Sequence, residues 1–202
     1  NIIVIGGGPA GLAFATLWKR RHGRDRVHVV EQNAPDATFG FGVVFSDRAL
    51  DFLRASDPST HDLIAPALET WSGITLDHRG ERIEIDGIGF TAVGRLRLLK
   101  LMRERAASVG VDVRYNTVMP PEHGALDAAD LVVVADGVNS AHRNAAAEAF
   151  GYGMELSTNR FAWFGTTKRF ETLTQTFVRS DLGAFNAHHY RYAPGMSTFI
   201  VE

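Results

Sequence analysis

Asn1-Ile2-Ile3-Val4-Ile5-Gly6-Gly7-Gly8-Pro9-Ala10-Gly11 opens the chain. Residues 2–5 are apolar and run straight into a glycine turn, and Leu12, Ala13, Ala15, Thr16 and Leu17 follow with helical spacing. The pattern predicts strand, tight turn and helix, with the helix over residues 12–22. Gly6-x-Gly8-x-x-Gly11 sits at the joint. Gly6 permits the sharp turn out of the strand. Gly8, without a Cβ, lets a diphosphate approach the backbone, and Gly11 lets the helix pack close on the strand. The helix N-terminus adds free N–H groups and a partial positive charge, both suited to phosphate.

Such a turn is common, so its surroundings decide its meaning. Val27-His28-Val29-Val30-Glu31 reads as a second short strand ending in an acid, with Glu31 twenty residues after Gly11. A carboxylate there accepts from both ribose hydroxyls of a dinucleotide and disfavours a 2′-phosphate. Strand, turn, helix, strand and acid together predict a nucleotide-binding βαβ unit rather than a purely structural turn.

Composition narrows the class. The chain has 202 residues, 45% hydrophobic and 22% charged, enough for a sizeable core in one large or two small domains. A net charge of −2 without a long basic run gives nucleic-acid binding no electrostatic support. With no cysteine, disulfides and thiolate metal sites are excluded, and a reducing cytoplasm is the expected compartment. No apolar run approaches the roughly 18 residues of a membrane span, so no membrane partner is expected. No leader precedes the first strand, and Phe199-Ile200-Val201-Glu202 reads as a strand that stops short. The chain is therefore expected to be the front part of a longer protein.

Further along, Lys19-Arg20-Arg21 suits a helix C-terminus. Residues 34–45 read as a glycine-rich loop, and Ser46 or Asp47 caps a helix to about Ala55, broken by Asp57-Pro58. A further helical stretch is expected at about 59–69. Residues 71–90 alternate with period two around Asp77-His78-Arg79-Gly80 and predict a β-hairpin inserted from another layer. Helix returns over 95–109, with Leu98, Leu99, Met102, Ala106 and Val109 on one face and Gly110 as the stop. Residues 111–115 form a strand. The run Asp130-Leu131-Val132-Val133-Val134-Ala135 predicts a strand buried on both faces of a parallel sheet. From about residue 150, stretches 161–165, 175–178, 184–192 and 197–201 read as antiparallel strands.

Ala135-Asp136-Gly137-Val138-Asn139-Ser140-Ala141-His142-Arg143 follows the buried strand. An Asp-Gly pair at the carboxyl end of a parallel strand lies where open α/β sheets bind ligands. Asp136 can accept from a cofactor hydroxyl, and Arg143 can cap the next helix or balance Asp136. With Gly-Gly-Gly-Pro-Ala-Gly at 6–11, Glu31 and Arg95 opening its helix, this motif resembles the single-component flavoprotein aromatic hydroxylases typified by p-hydroxybenzoate hydroxylase. Residues 38–47, 159–168 and 197–202 are similar to the salicylyl-CoA 5-hydroxylase and 2-aminobenzoyl-CoA monooxygenase group. The tryptophan-derivative hydroxylase of violacein biosynthesis is a more distant likeness.

The resemblance implies an α/β fold: a Rossmann-like FAD-binding domain, residues 1–70 and 91–150, with a mainly antiparallel substrate-binding sheet, residues 71–90 and 151–202. It implies FAD on Gly6, Gly8, Pro9, Ala10 and Gly11, with Glu31 on the adenosine ribose. Gly42, Val43, Arg95, Asp136 and Gly137 complete the implied cofactor set. NADH or NADPH reduces the flavin, and O₂ adds to give a C4a-hydroperoxyflavin that hydroxylates an activated ring, such as that of salicylyl-CoA or 2-aminobenzoyl-CoA. Two departures stand out. Many relatives carry an arginine where this chain has Gly40-Phe41-Gly42, and the family's later Gly-Asp motif is not in this chain. On its own the chain is expected to bind FAD poorly.

The hydroxylation needs a dry, aromatic-lined site, for which Phe161, Trp163, Phe164, Phe177, Phe185, Tyr190 and Phe199 are candidates, against ordinary core packing for any one of them. His188 and Tyr190 share one strand face and are the candidates to hydrogen-bond a substrate hydroxyl or amine or to move its proton; His189 faces away. A polar outer face or a satisfied core histidine is the plain alternative. Adjacent histidines with no third ligand do not make a metal site. Arg160, Lys168, Arg169, Arg179 and Arg191 could meet CoA phosphates, or simply be solvated. Hydroxylation of a free aromatic or indole substrate, and a non-catalytic flavin sensor, are the competing readings. A short-chain dehydrogenase would need Tyr-x-x-x-Lys and a flavin halogenase Trp-x-Trp-x-Ile-Pro; neither pattern occurs here.

Overall fold

A computed structural model describes residues 1–202. In chain order the elements are β1 (Ile2–Ile5), α1 (Pro9–Arg21), β2 (Val27–Val30), β3 (Gly42–Ser46), α2 (Asp47–Ser56), α3 (Pro58–Ile64), a 3₁₀ turn (Ala65–Ala67), β4 (Glu69–His78) and β5 (Glu81–Gly94). Then come α4 (Arg95–Ser108), β6 (Asp112–Arg114), β7 (Leu131–Val134), α5 (Ala141–Ala145), α6 (Ala147–Phe150), β8 (Ala162–Thr166), β9 (Leu173–Ser180), β10 (Gly183–Ala193) and β11 (Met196–Val201). The chain forms two compact units, residues 1–37 with 99–156 and residues 38–98 with 157–202.

The first unit is a four-stranded parallel sheet in the order β6-β2-β1-β7. All four residues of β1 are buried, because both faces of the strand are covered. Ile2 and Val4 pack with Leu12 and Ala15 of α1, Leu99 and Ala106 of α4, and Val27 and Val29. Ile3 and Ile5 pack on the other face with Val30, Met119, Leu126 and Val132. α1 begins earlier than its apolar spacing suggests, at Pro9, whose fixed φ suits a first helical residue. Gly110 has φ +87° and ends α4 as expected. One expectation fails here. β7 lies at the edge of this sheet, so Leu131 and Val134 are exposed and only Val132 and Val133 are partly covered.

The second unit is a seven-stranded sheet in the order β3-β5-β4-β9-β10-β11-β8. Its pairings are antiparallel except β4 with β9, which run parallel from Ile74↔Leu173 to His78↔Phe177. Each late strand expected from the sequence is present. The glycine-rich stretch 34–45 is not all loop: its end forms β3, which pairs with β5 from Gly42↔Gly94 to Ser46↔Phe90. Val43, Val44 and Phe45 are good strand formers, and the flanking glycines obscure their pattern. That pairing also moves the boundary between units. Residues 38–70 and 91–98, grouped by sequence with the nucleotide-binding part, lie in the compact unit of the large sheet.

Candidate cofactor and substrate sites

The parallel sheet brings the two sequence motifs together. Counting only its own strands, the order is third, second, first, fourth, so β1 and β7 flank the point where chain direction across the sheet reverses, the usual ligand crevice of open α/β sheets. The Gly6–Gly11 turn leaves β1 there, and Asp136-Gly137 leaves β7. The two loops touch. A Cβ on Gly6, whose φ is +108°, would lie 2.3 Å from the Ala135 carbonyl oxygen, and one on Gly11 would lie 2.0 Å from that of Gly6. Both glycines are thus required by packing alone.

Gly8 is different: a Cβ there would meet no atom within 4 Å. Its place is not dictated by the protein's own packing, as befits a position that a diphosphate approaches. Gly8 is also the N-cap of α1 without a side-chain cap, so the first-turn N–H groups of Ala10 and Gly11 are left to an anion; Pro9 has none to give. Glu31 holds the turn in place. Its Oε2 accepts from the Gly7 N–H at 2.7 Å, and its Oε1 from the Asn33 N–H and Nδ2 at 2.8 and 2.7 Å. Unused lone pairs remain on this carboxylate for ribose hydroxyls. The donor set fits a dinucleotide.

Asp136 accepts from or bonds to His142 Nδ1 at 3.2 Å, while its Oδ1 is buried with no partner. Burial alone would raise its pKa, but the nearby Ser140 hydroxyl and the His142 imidazole outweigh it and keep the carboxyl below the ordinary value. Ser140 is buried and caps α5 through the Arg143 N–H. Arg143 does not balance Asp136. Its guanidinium donates to the Gly137 and Val138 carbonyls and lies 4.0 Å over the Tyr152 ring. A cleft of about 580 Å³ opens here, lined by Asp136, Gly137, Ser140, Arg143, Phe150 and Tyr152.

In the second unit, Arg95 opens α4, half-buried, its N–H donating to the Phe41 carbonyl at 2.7 Å. Gly42 and Val43 lie in β3. A Cβ on Gly42 would press on Tyr192 and Tyr190 at 2.8 and 3.0 Å, so that glycine has a packing reason of its own. Tyr190 is buried, donates its hydroxyl to the Gly42 carbonyl at 3.1 Å, and meets the Trp71 ring edge-on. Burial pushes its phenol up to about 12. His188 shares that face; its Nε2 is buried without a hydrogen bond, 3.8 Å from a Glu202 carboxylate oxygen.

His189 faces the other way, as its strand position requires, and sequence reasoning passed over it. It stacks on Phe199 at 5.0 Å, lies 4.0 Å from Phe170 and bonds Thr176 Oγ1 at 3.2 Å. Burial, with Lys168 adding to it, lowers its pKa to about 4, so the ring is neutral near pH 7. Only the alternation of β10 could have flagged it. Of the aromatic candidates, Trp163 packs on Phe41 and donates to Thr198 Oγ1, while Phe161 and Phe164 are exposed. Of the cations, Arg191 is committed to Glu69 and the Phe170 carbonyl, and Arg169 pairs with Glu171.

No helix is long and apolar enough to cross a membrane. A family model described as "Lycopene cyclase protein" matches residues 1–185. Along its whole length the chain is 45% identical to a salicyloyl-CoA 5-hydroxylase of a Streptomyces species, spanning 39% of that protein. It is 35% identical, again along its whole length, to the 3-hydroxy-4-methyl-anthranilyl-[aryl-carrier protein] 5-monooxygenase of Streptosporangium sibiricum, spanning 56% of it. Among solved structures, 2-methyl-3-hydroxypyridine-5-carboxylic acid oxygenase superposes on 99% of this chain with a TM-score of 0.79 at 18% identity, the chain covering 58% of that protein. The chain thus spans about half the length of the proteins it matches. The match over residues 1–185 places the chain in the family described as lycopene cyclase protein, and along its whole length it is similar to proteins named as an aromatic-acyl hydroxylase and monooxygenase.

Proposed function

We propose that the protein of which this chain is part hydroxylates an activated aromatic ring carried as an aroyl thioester, using FAD, NADH or NADPH, and O₂. The observation that carries this reading is the pairing at one sheet crevice of the Gly6–Gly11 turn, open at Gly8, with Asp136 and its unpartnered oxygen. The two relatives, named for a CoA thioester and a carrier-bound aryl group, support the thioester. FAD, when bound, supplies the electron transfer and the activated oxygen.

The chain's own residues bind and orient. The N–H groups of Ala10 and Gly11 hold the diphosphate, Glu31 the adenosine ribose, and Asp136 a hydroxyl of the cofactor chain, with Gly137 allowing close approach. In the second unit the neutral phenol of Tyr190 fixes β3 through Gly42, so Tyr190 positions that strand. His188 Nε2 accepts a hydrogen bond from the ring's hydroxyl or amino group and can take its proton as the ring is attacked. The large sheet supplies the substrate surface, and its aromatic side chains keep water away.

The test is NADH and NADPH oxidation by full-length protein with salicylyl-CoA, 2-aminobenzoyl-CoA and the free acids, with product mass read in parallel. The expected result is thioester-stimulated oxidation and a product heavier by one oxygen atom. A yellow protein without stimulated turnover would overturn the hydroxylase, and equal activity on the free acids would overturn the thioester.

A further inference from the structure

The second unit carries a groove of about 410 Å³ where β4 and β9 end and β10 begins, lined by His78, Arg79, Phe177, Arg179, Phe185 and Asn186. The strand register explains the convergence. His78 pairs with Phe177, Phe177 with Asn186, and Arg179 with Ala184, so these positions share one face of the sheet. His188 and Tyr190 follow Asn186 on that face. Along it, Asn186 Oδ1 and His188 Nε2 are both buried with no hydrogen-bond partner.

The cations of the groove are uncommitted. Neither Arg79 nor Arg179 has an ion pair or hydrogen bond through its side chain, unlike Arg191 and Arg169. Arg79 also stands where arginine is a poor choice for the backbone. With φ +55°, followed by Gly80 at +83°, it fills the first left-handed position of the β4–β5 turn, which favours asparagine, aspartate or glycine. Nothing in the turn itself asks for a guanidinium. The one carboxylate at the groove, Glu202, lies 3.8 Å from the His188 imidazole.

We propose that this groove binds the 3′-phosphoadenosine diphosphate end of coenzyme A. The inference rests on the aroyl-thioester reading above and narrows it to a CoA ester. Arg79 and Arg179 meet phosphate oxygens. Phe177, 39% exposed, offers ring surface to the adenine. Asn186 Oδ1 accepts from its amino group. The pantetheine arm then follows the β10 face past His188 toward Tyr190, a path of about 13 Å at the usual rise of a strand.

The experiment measures CoASH binding to full-length FAD-loaded protein by calorimetry, separately from turnover. Wild type is expected to bind CoASH, more weakly as salt rises, and 3′,5′-ADP is expected to compete. Arg79→Glu and Arg179→Glu are each expected to weaken CoASH binding by about tenfold or more, and Arg82→Glu, outside the groove, to leave it unchanged. Arg79→Gln and Arg179→Gln serve if the charge reversals lose FAD or fold poorly. Absence of CoASH binding in wild type, failure of 3′,5′-ADP to compete, or equal affinity in the groove variants overturns the proposal. A carrier-delivered substrate, bringing only phosphopantetheine, would show itself as that failure of 3′,5′-ADP. CoASH bound in the groove but no turnover of aroyl-CoA sinks the thioester reading alone; turnover with unchanged groove variants sinks the groove alone.

Discussion

Gly6 fixes how close the loops after β1 and β7 come. Any side chain there meets the Ala135 carbonyl and must also hold a φ of +108°. Gly6→Ala is expected to destabilise the protein by about 1–3 kcal/mol and to lower its FAD content, read by urea unfolding and by absorbance of the purified enzyme. Tyr190 fixes a longer link, across 148 residues, to the Gly42 carbonyl. Tyr190→Phe leaves that buried carbonyl unsatisfied at a cost of about 1–3 kcal/mol. If Tyr190 positions β3, the variant's activity falls without a new pH dependence near neutrality. A shift of the activity profile would instead give its phenol a direct part in the chemistry. Gly6, Gly11 and Glu31 were legible as a candidate site because their spacing along the chain sets their spacing in space; Asp136 was legible only by its motif, and the pairing of β1 with β7 brings it to them. What Glu31 does besides was not legible, since its hold on Gly7 and Asn33 depends on how the turn folds back. His189 was hidden for a similar reason: its partners Phe170, Thr176 and Phe199 are brought in by sheet register, which a single chain does not display.

At the level of elements, local chemistry sets the boundaries. Ser46 ends β3 and caps α2 by accepting from the Ala49 N–H at 3.3 Å. Ser46→Ala is expected to cost about 1 kcal/mol, seen as a lower unfolding midpoint with an unchanged denaturant slope. This cap could be read from sequence because it is made within four residues. β3 could not, for its partner is β5, and Phe39-Gly40-Phe41-Gly42 has the composition of a loop. β7 misled in the opposite sense. Its unbroken apolar run describes what a strand tolerates on both faces, and exposure depends on which neighbours flank it.

For the whole molecule, the buried neutral His189 couples stability to pH. Its pKa falls from 6.5 unfolded to about 4 folded. The folded form binds this proton more weakly, so the stabilisation is full above pH 6.5 and drains away as pH falls through about 4. Unfolding midpoints measured from pH 7 to 4 are expected to decline, and less steeply in His189→Phe, which keeps the stack on Phe199 without a titrating group. An identical decline in the variant would place the acid sensitivity elsewhere.

The one parallel pairing of the large sheet has a consequence for biosynthesis. Ile74 meets Leu173 only after the ribosome has made nearly the whole chain described here. Until then the β3-β5-β4 ladder can form locally but keeps an open edge of unpaired backbone along β4, the kind of edge that recruits other strands. The closing step spans a long loop and is slow by topology. β4 carries Asp77 and His78 toward the end of that edge, and the turn after it carries Arg79. Charge and a tight left-handed turn at such a place discourage a second nascent chain from adding on.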